Sequence, residues 1–533
     1  SMKLNRRQII QGGAAALAAS ATGNTSRAFE EQPEAGDDLI IPPPASPFEV
    51  GSKTQLMADQ TLIYETRNVE FRMHPGEKHS ANPILMADRP WEGWRTVLYG
   101  NVLYDSEDKL YKMWYCGEAP TYFGIGPQDS PVVTLYATST DGIHWEKPVV
   151  GTIPSVNGTR HNAVADIELA SVIKDQNEPD PARRYKMICF RARPKSFSGY
   201  HTMVSPDGLD WRALSTEPIS PGGDVITGYF DERLNCYIAL AKIMTQVRNH
   251  RRRVFYLITS RDFVHWTKPR LVWQPDLRDD AGSLHRIAEV RSLLSVPDNP
   301  KVMRTEFYGF GFYPAESCTI AFPWMFTINN NGRYGNQEGP GELQVGVSRD
   351  MVHWQRAFRT PIVPRGSLTD WDRGFFCTQS RALRVNDEVW LYYCGSTYTH
   401  GSAVLYRPDD PDRNTKQKAG IGIVKWKVDR FVSADGNRGD SEVITVPIVM
   451  QGDRMEVNAK VRTGGELRVT ILDEKGAPLP GTESLPVRGD GVRQTVRWNT
   501  PQLARLSGRP ISLRLTLKGS ELYSFSFRAD RQS

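Results

Sequence analysis

The chain of 533 residues is poor in cysteine and has no long apolar run beyond its first segment. The six cysteines, Cys116, Cys189, Cys236, Cys318, Cys377 and Cys394, contain no Cys-x-x-Cys pair and no zinc-type spacing, which argues against a metal-cluster domain. Cys116 and Cys394 close matching Tyr-Cys-Gly strands, as buried thiols would. Oxidation after export could join a pair, but the spacing selects none. No stretch past the N-terminus approaches the ~20 apolar residues needed to span a bilayer. A strong charge bias is also missing. The 66 basic residues face 61 acidic ones, and loss of Lys3, Arg6 and Arg7 with a cleaved leader would leave an excess of about two. Nothing in that balance favours nucleic acid or an anionic membrane as a partner. The run His250 to Arg253 flanks an apolar strand at 254–258 and reads as a solvated hairpin.

The N-terminus carries its own signal. Arg6-Arg7 precedes a small apolar run from Gly12 to Ala21, and Ala19-Ser20-Ala21 offers a small-x-small cleavage site. Residues 1–28 are therefore expected to be a twin-arginine-type export signal, which places the mature protein in the periplasm or outside the cell. Residues 29–50, ending in Ile41-Pro-Pro-Pro44, read as a linker.

Aromatic residues, by contrast, are plentiful, with 13 Trp and 20 Tyr, and one short pattern recurs four times. Ser-x-Asp-x-x-x-Trp starts at Ser139, Ser205, Ser260 and Ser348, at intervals of 66, 55 and 88 residues. Motifs repeated at that scale in strand-rich sequence predict propeller blades. The Ser and Asp cap a tight turn, Gly142 and Gly208 supply permissive backbone, and the Trp can wedge between blades. These aspartates are structural, not catalytic. A second repeat, Tyr-Lys-Met at 111–113 and 185–187, supports the first.

Alternating segments predict blade one at 97–104, 110–116 and 134–138, and blade two at 170–174, 184–187 and 201–204. Blade three covers 225–230, 236–241 and 254–258. Blade four covers 305–308, 319–327 and 343–347 after an insertion at about 270–300. Blade five covers 380–385, 388–394 and 421–428 and ends at Phe431-Val-Ser433. A sixth blade would require strands within 55–75. From about 435, alternating strands around Gly-Ala-Pro and Gly-Asp-Gly turns predict a β-sandwich with an accessory role. The expected architecture is all-β: a five-bladed β-propeller at 51–434, then a sandwich at 435–533.

The phrases Leu110 to Tyr115 and Tyr136 to Pro148 give this plan a resemblance to glycoside hydrolase family 32 and its superfamily, which includes families 43, 68, 117 and 130. The likeness spans roughly residues 80–530 and implies cleavage or phosphorolysis of glycosidic bonds by carboxylates on the innermost strands. Family 32 opens blade one with Trp-Met-Asn-Asp-Pro-Asn, whereas His79-Ser-Ala-Asn82-Pro83 stands here, with Asn82 at the acid position. Arg-Asp-Pro is absent, and Glu316-Ser-Cys318 is one residue off Glu-Cys. The resemblance thus implies a divergent glycosidase rather than a fructosidase.

Glycoside hydrolysis needs two carboxyl groups flanking the bond. Glu306, beside Phe307 and Tyr308, is the expected general acid, because apolar surroundings favour the protonated form. Asp224, behind Gly222-Gly223 at a strand entrance, is the expected base or nucleophile. Asp166 or Asp372 is the third carboxylate. Substrate contacts are expected from His79, Asn82, Asn101, Arg160, His161, Asn162, Glu168, Trp371, Arg373, Arg381 and His400, with Trp371 stacking on sugar. Blade two is read as opening at Arg160, with Asp166 and Glu168 on one strand face. No cofactor is expected, since no ligand-spaced motif supports an axial calcium. The partner is a carbohydrate. A non-catalytic sugar-binding propeller and a glycoside phosphorylase are the alternatives, separated by a close carboxyl pair and by converging arginines respectively.

Overall fold

The protein's structure, a computed structural model, describes residues 47–126, 132–191, 195–333, 336–402, 418–500 and 503–529. The expected export signal and the linker up to residue 46 lie outside the described residues.

Five antiparallel sheets follow one another in sequence. Each begins with an inner strand: Thr96–Asp105, Glu168–Lys174, Ile226–Asp231, Arg304–Pro314, and Phe376–Thr378 with its continuation Leu383–Val385. Each inner strand neighbours the next, and the fifth neighbours the first, so the ring closes as a five-bladed propeller. The fifth blade is completed from the other end of the chain. Its outermost strands are Glu77–Lys78 and Leu85–Met86, paired antiparallel to Ala419–Lys427. This outer edge needs no turn after the third strand, which explains why blade five lacks the Ser-x-Asp motif.

The four motifs are turns between outer strands, and their capping follows the expected chemistry. In the third, Asp262 Oδ1 accepts from the amides of Val264 and His265, both at 2.8 Å, and Ser260 Oγ accepts from Phe263 N at 2.9 Å. The fourth motif position is left-handed in every copy: Gly142 (φ 76°), Gly208 (81°), Phe263 (65°) and Met351 (62°). Glycine is used where a neighbour takes the space. A Cβ on Gly142 would lie 2.6 Å from the Tyr392 hydroxyl, and one on Gly208 would lie 2.7 Å from Trp114. Phe263 and Met351, both fully buried, fill that space themselves. The turns therefore fasten neighbouring blades: Tyr392 of blade five donates to Gly142 O at 2.8 Å, and Trp114 of blade one donates to Gly208 O at 2.8 Å. Trp211, Trp266 and Trp354 bond to carbonyls of their own turns, so capping adds to the wedge expected of them.

The Tyr-Lys-Met repeat has a matching explanation. Lys112 and Lys186 are buried, and each reaches the acidic turn that precedes its own strand, Asp105 at 2.7 Å and Asp175 at 3.0 Å. A repeated buried lysine with a repeated carboxylate is a satisfied ion pair inside the blade.

The C-terminal strands form an 11-stranded sheet system with a core of its own, including Val457, Leu467, Leu515 and Phe525. It is assembled from both chain ends. Phe48–Gly51, Gln55–Leu56, Ile63–Arg67 and Val69–Met73 pair with it, so the segment 55–75 builds this module and not a sixth blade. Val432–Gly436 also belongs here, pairing with Val69–Met73 and Pro510–Arg528, rather than ending blade five. Among the described residues, no helix is long and apolar enough to cross a membrane.

Candidate functional site at the mouth of the propeller axis

All five inner strands start at one face, here termed the leading face, and end at the trailing face. At the start of blade three, Gly222-Gly223-Asp224 makes a sharp entrance. Gly222 has φ 149°, and a Cβ there would strike the Tyr200 ring at 2.2 Å. Tyr200, fully buried in blade two, staples this turn to the next strand. Its hydroxyl lies 3.1 Å from Gly223 O, 2.9 Å from Val225 O and 3.1 Å from Lys242 O, and accepts from Lys242 N at 3.2 Å. Asp224 is left-handed (φ 53°), half-buried, and ion-paired with Lys242. A non-glycine residue held in this region costs about 1 kcal/mol or more, and such positions concentrate at functional sites.

Blade four contributes Glu306 and Tyr308. Glu306 is fully buried, and both of its oxygens are taken. Oε1 accepts from Arg304 Nε at 2.7 Å, and Oε2 accepts from Arg253 Nη1 at 2.6 Å and from Arg253 N at 3.2 Å. The basic run at 250–253 is thus no solvated hairpin. Of its three arginines only Arg251 is exposed. Arg252 is buried and bonds Asp280 at 2.6 Å and Thr305 O at 3.0 Å. Asp280 belongs to the helix Leu277–Ala281 of the insertion between blades three and four. It also accepts from Thr305 N at 3.1 Å, so the insertion clamps this hairpin against the inner strand of blade four.

Tyr308 is the hub of the mouth. Lys242 Nζ stands 4.3 Å and the Arg253 guanidinium 5.1 Å from its ring centroid, both cation–π contacts. His400, from the loop after Glu388–Ser396, lies on its far side. His400 Nδ1 donates to Gln337 O at 2.7 Å, so Nε2 is the acceptor and takes the Tyr308 hydroxyl at 3.2 Å. Burial, with Arg253 and Lys242 nearby, pushes the His400 imidazole down to about 3, so it is neutral. Blade one adds Arg95, stacked between Trp94 (4.9 Å) and Tyr398 (5.6 Å) and ion-paired with Glu118. Trp94 Nε1 also donates to Glu118 at 2.6 Å. Burial holds the Tyr99 phenol well above its ordinary value.

Asp166 sits exposed between Ala163–Ala165, the outermost strand of blade one, and Glu168–Lys174, the inner strand of blade two. Glu168 opens that inner strand, and its side chain lies outside what the structure describes. Contacts through Lys242, Tyr308 and Arg253 thus join Asp224, Glu306 and His400 at the mouth, while Asp166 precedes the neighbouring inner strand of blade two. The residues that the sequence did not single out are Arg95, Tyr99, Glu118, Lys242, Arg253, Tyr308 and Tyr398. Three consecutive arginines before an apolar strand read as a solvated hairpin, which hid the two inward ones, Arg252 and Arg253.

The other expected site residues bond mainly to the surrounding scaffold. Asn82 makes a reciprocal pair with Ile423, its Oδ1 accepting from Ile423 N and its Nδ2 donating to Ile423 O, both at 2.9 Å. It thus acts as an outer-strand rung of blade five. His79 Nδ1 accepts from Ala81 N in the same turn. Arg160, His161 and Asn162 approach the outer strand of blade one rather than opening blade two. Asn162 accepts from the Trp91 indole at 2.7 Å and donates to Tyr136 O at 2.7 Å. His161 packs edge-on against Phe123, and burial lowers its pKa. Asp372 is buried against Lys78 and Tyr393. Trp371 stacks on Tyr393, and Arg373 bonds the carbonyls of Thr397 and Leu368. Asn101 and Arg381 lie on the trailing face, where Arg381 pairs with Glu232. Among the described residues, no group of three or more His, Cys, Asp or Glu side chains is placed to hold a metal ion.

No protein-family model matches the chain, and no curated protein matches it. Solved structures do resemble it in fold. A β-1,2-mannobiose phosphorylase from Listeria innocua has 12% identity and a TM-score of 0.40, covering 66% of this chain and 97% of its own. A family 43 arabinoxylan arabinofuranohydrolase from Bacillus subtilis has 10% identity and a TM-score of 0.36, covering 86% and 99%. A fructofuranosidase from Schwanniomyces occidentalis has 12% identity and a TM-score of 0.34, covering 90% and 98%.

Proposed function

We propose that the chain is a carbohydrate-active enzyme that hydrolyses a glycosidic bond at the leading mouth of the propeller axis. The observation that carries this reading is Asp224 at an inner-strand entrance, paired with Lys242 beside Tyr308 and Arg253; Asp166, at the entrance of the preceding inner strand, is the second carboxyl we assign. Two carboxyl groups are what glycoside hydrolysis generally requires. Asp224, glycine-flanked and half-buried beside Lys242, takes the role of base or nucleophile. Asp166, which makes no ion pair among the described residues, takes that of proton donor. Glu306 is fully buried with both oxygens bonded to arginines, which supports a different role for it. Its part is to hold Arg253 against Tyr308, so it is a positioning residue.

Phosphorolysis is the second reading, favoured by the cations Arg95, Lys242 and Arg253. Each of these is already ion-paired, with Glu118, Asp224 and Glu306 respectively, which supports hydrolysis over capture of a free phosphate. Arg6-Arg7 and the small-residue run behind them support export, and the C-terminal module fits an accessory role.

The test is hydrolysis of a panel of plant and algal oligosaccharides by the wild type, with Asp224→Asn and Asp166→Asn alongside. Turnover falling by at least ~10³-fold in both, with the native fold retained at the assay temperature, is the expected result. Saturable sugar binding without turnover by the wild type would make it a binding propeller. Turnover that depends on inorganic phosphate would make it a phosphorylase.

A further inference from the structure

A cavity lies at the opposite end of the axis. About 760 Å³ opens on the trailing face, bounded by the ends of the inner strands and by Thr54 and Asp429, which flank the C-terminal module. That volume falls in the usual range of small-molecule sites. It is separate from the mouth, because Ser171 of blade two and Ser380 of blade five meet across the axis at 2.6 Å.

One buried polar atom here has no partner, and one buried carboxyl has no ion pair among the described residues. Asn101 is 6% exposed; its Nδ2 donates to Val172 O at 2.6 Å, while its Oδ1 has no partner among the described residues. A buried acceptor left unpaired costs about 1–3 kcal/mol, which a ligand hydroxyl would recover. Asp429 is 9% exposed, with a left-handed backbone (φ 64°), and makes no ion pair among the described residues, whereas Glu316 beside it is consumed by Arg528 and Thr54. Burial pushes the Asp429 carboxyl up to about 6, against the opposing charge of Arg384 and a hydrogen bond from Ser524. Arg384 is exposed, and Tyr104, 48% exposed and 4.9 Å from Tyr111, adds an aromatic surface.

The chemistry of this lining selects its occupant. The unpaired amide oxygen asks for a neutral donor. Asp429 and Arg384 carry opposite character, so a net anion meets the carboxyls and a net cation meets the arginines. Groups that both donate and accept suit all three, and an aromatic flank suits a ring with C–H faces. We propose that the trailing-face cavity is a second sugar site that takes one neutral saccharide residue through Asn101, Asp429, Arg384 and Tyr104. The choice of a sugar rests on the reading of the mouth as carbohydrate-active, and the site would hold a glycan chain to the enzyme while another part of it reacts.

The experiment titrates the full chain with D-glucose, D-galactose, D-mannose, D-xylose, L-arabinose and D-fructose, with D-glucuronate as the anionic control. Binding is read by saturation-transfer NMR and calorimetry. At least one neutral sugar should saturate the wild type and Asp224→Asn alike, and bind at least ~10-fold more weakly to Arg384→Ala and to Tyr104→Ala. Both of those positions are exposed, so their variants should fold, and unchanged melting checks this. The proposal is overturned if none of the six neutral sugars saturates the protein, if binding survives both trailing-face variants at full strength, or if Asp224→Asn abolishes it. Sugar binding at the trailing face in a protein without turnover would remove the hydrolase reading and leave this one standing.

Discussion

Lys78 Nζ lies 2.6 Å from Asp372 Oδ2, a bond that ties the N-terminal outer strand of the propeller to the loop opening its last blade. Asp372 is almost wholly buried and also accepts from the Tyr393 hydroxyl at 2.8 Å. Lys78→Met should therefore strand a buried carboxylate and loosen the closure of the ring. The expected loss is about 2 kcal/mol, below that of a fully buried pair because Lys78 is partly exposed and Tyr393 remains. A lower denaturant midpoint at unchanged slope is the readout. An unchanged midpoint would mean that the backbone pairing of Glu77–Lys78 alone closes the propeller.

Glu306 separates two roles by stability. A proton donor replaced by glutamine loses activity and keeps its fold. A buried carboxylate between Arg304 and Arg253 does otherwise, because Glu306→Gln leaves two guanidinium groups without their counter-charge. The variant should lose about 3 kcal/mol of stability. Wild-type melting with activity lost would return Glu306 to the role of acid.

What the sequence revealed, and what it hid, divides along one physical line. The Ser-x-Asp turns are local: four residues satisfy one another, so the repeat reads directly as blades, and its absence from blade five marks the strand exchange. Depth along the axis is not local. Asn101 and Arg381 sit on inner strands as expected, yet at their trailing ends, because a period-two pattern tells which face a side chain takes but not how far along the channel it stands. Glu306 looked apolar in its setting because Phe307 and Tyr308 are its sequence neighbours. Its true partner, Arg253, arrives from 53 residues upstream across a blade boundary. Likewise Asn82 looked like a substituted catalytic acid, and only the return of Ala419–Lys427 shows that it completes a strand.

The motif turns should govern acid stability. In the fourth, Asp350 Oδ1 accepts from Val352 N at 2.9 Å and His353 N at 2.8 Å, and Oδ2 meets His353 Nδ1 at 2.6 Å. These bonds hold its carboxyl below the ordinary 3.8. A folded value below the unfolded one gives stability that is complete above pH ~4 and is lost as pH falls below that. Asp350→Asn should therefore melt lower than wild type at pH 7, and the gap should narrow as pH falls below ~4. A constant difference across that range would assign the effect to packing instead of charge.

Asp429 should behave in the opposite sense. Its folded value of about 6 exceeds the ordinary 3.8. The native state therefore keeps a proton that the unfolded chain has already released, and stability falls as pH rises from about 4 to 6. The penalty is complete above that window. Asp429→Asn removes the titrating group while keeping a residue that tolerates the left-handed backbone at φ 64°. The variant should exceed wild type by on the order of 3 kcal/mol at pH 7.5, narrowing to about 1 kcal/mol at pH 4.5. Urea midpoints at the two pH values measure both quantities. A gap that does not change with pH would mean that Asp429 is ionised in the fold, with Arg384 and Arg528 carrying its charge. An asparagine variant that is stabilised and still binds sugar weakly would show a carboxyl kept at the trailing face for its ligand, at a cost to the fold.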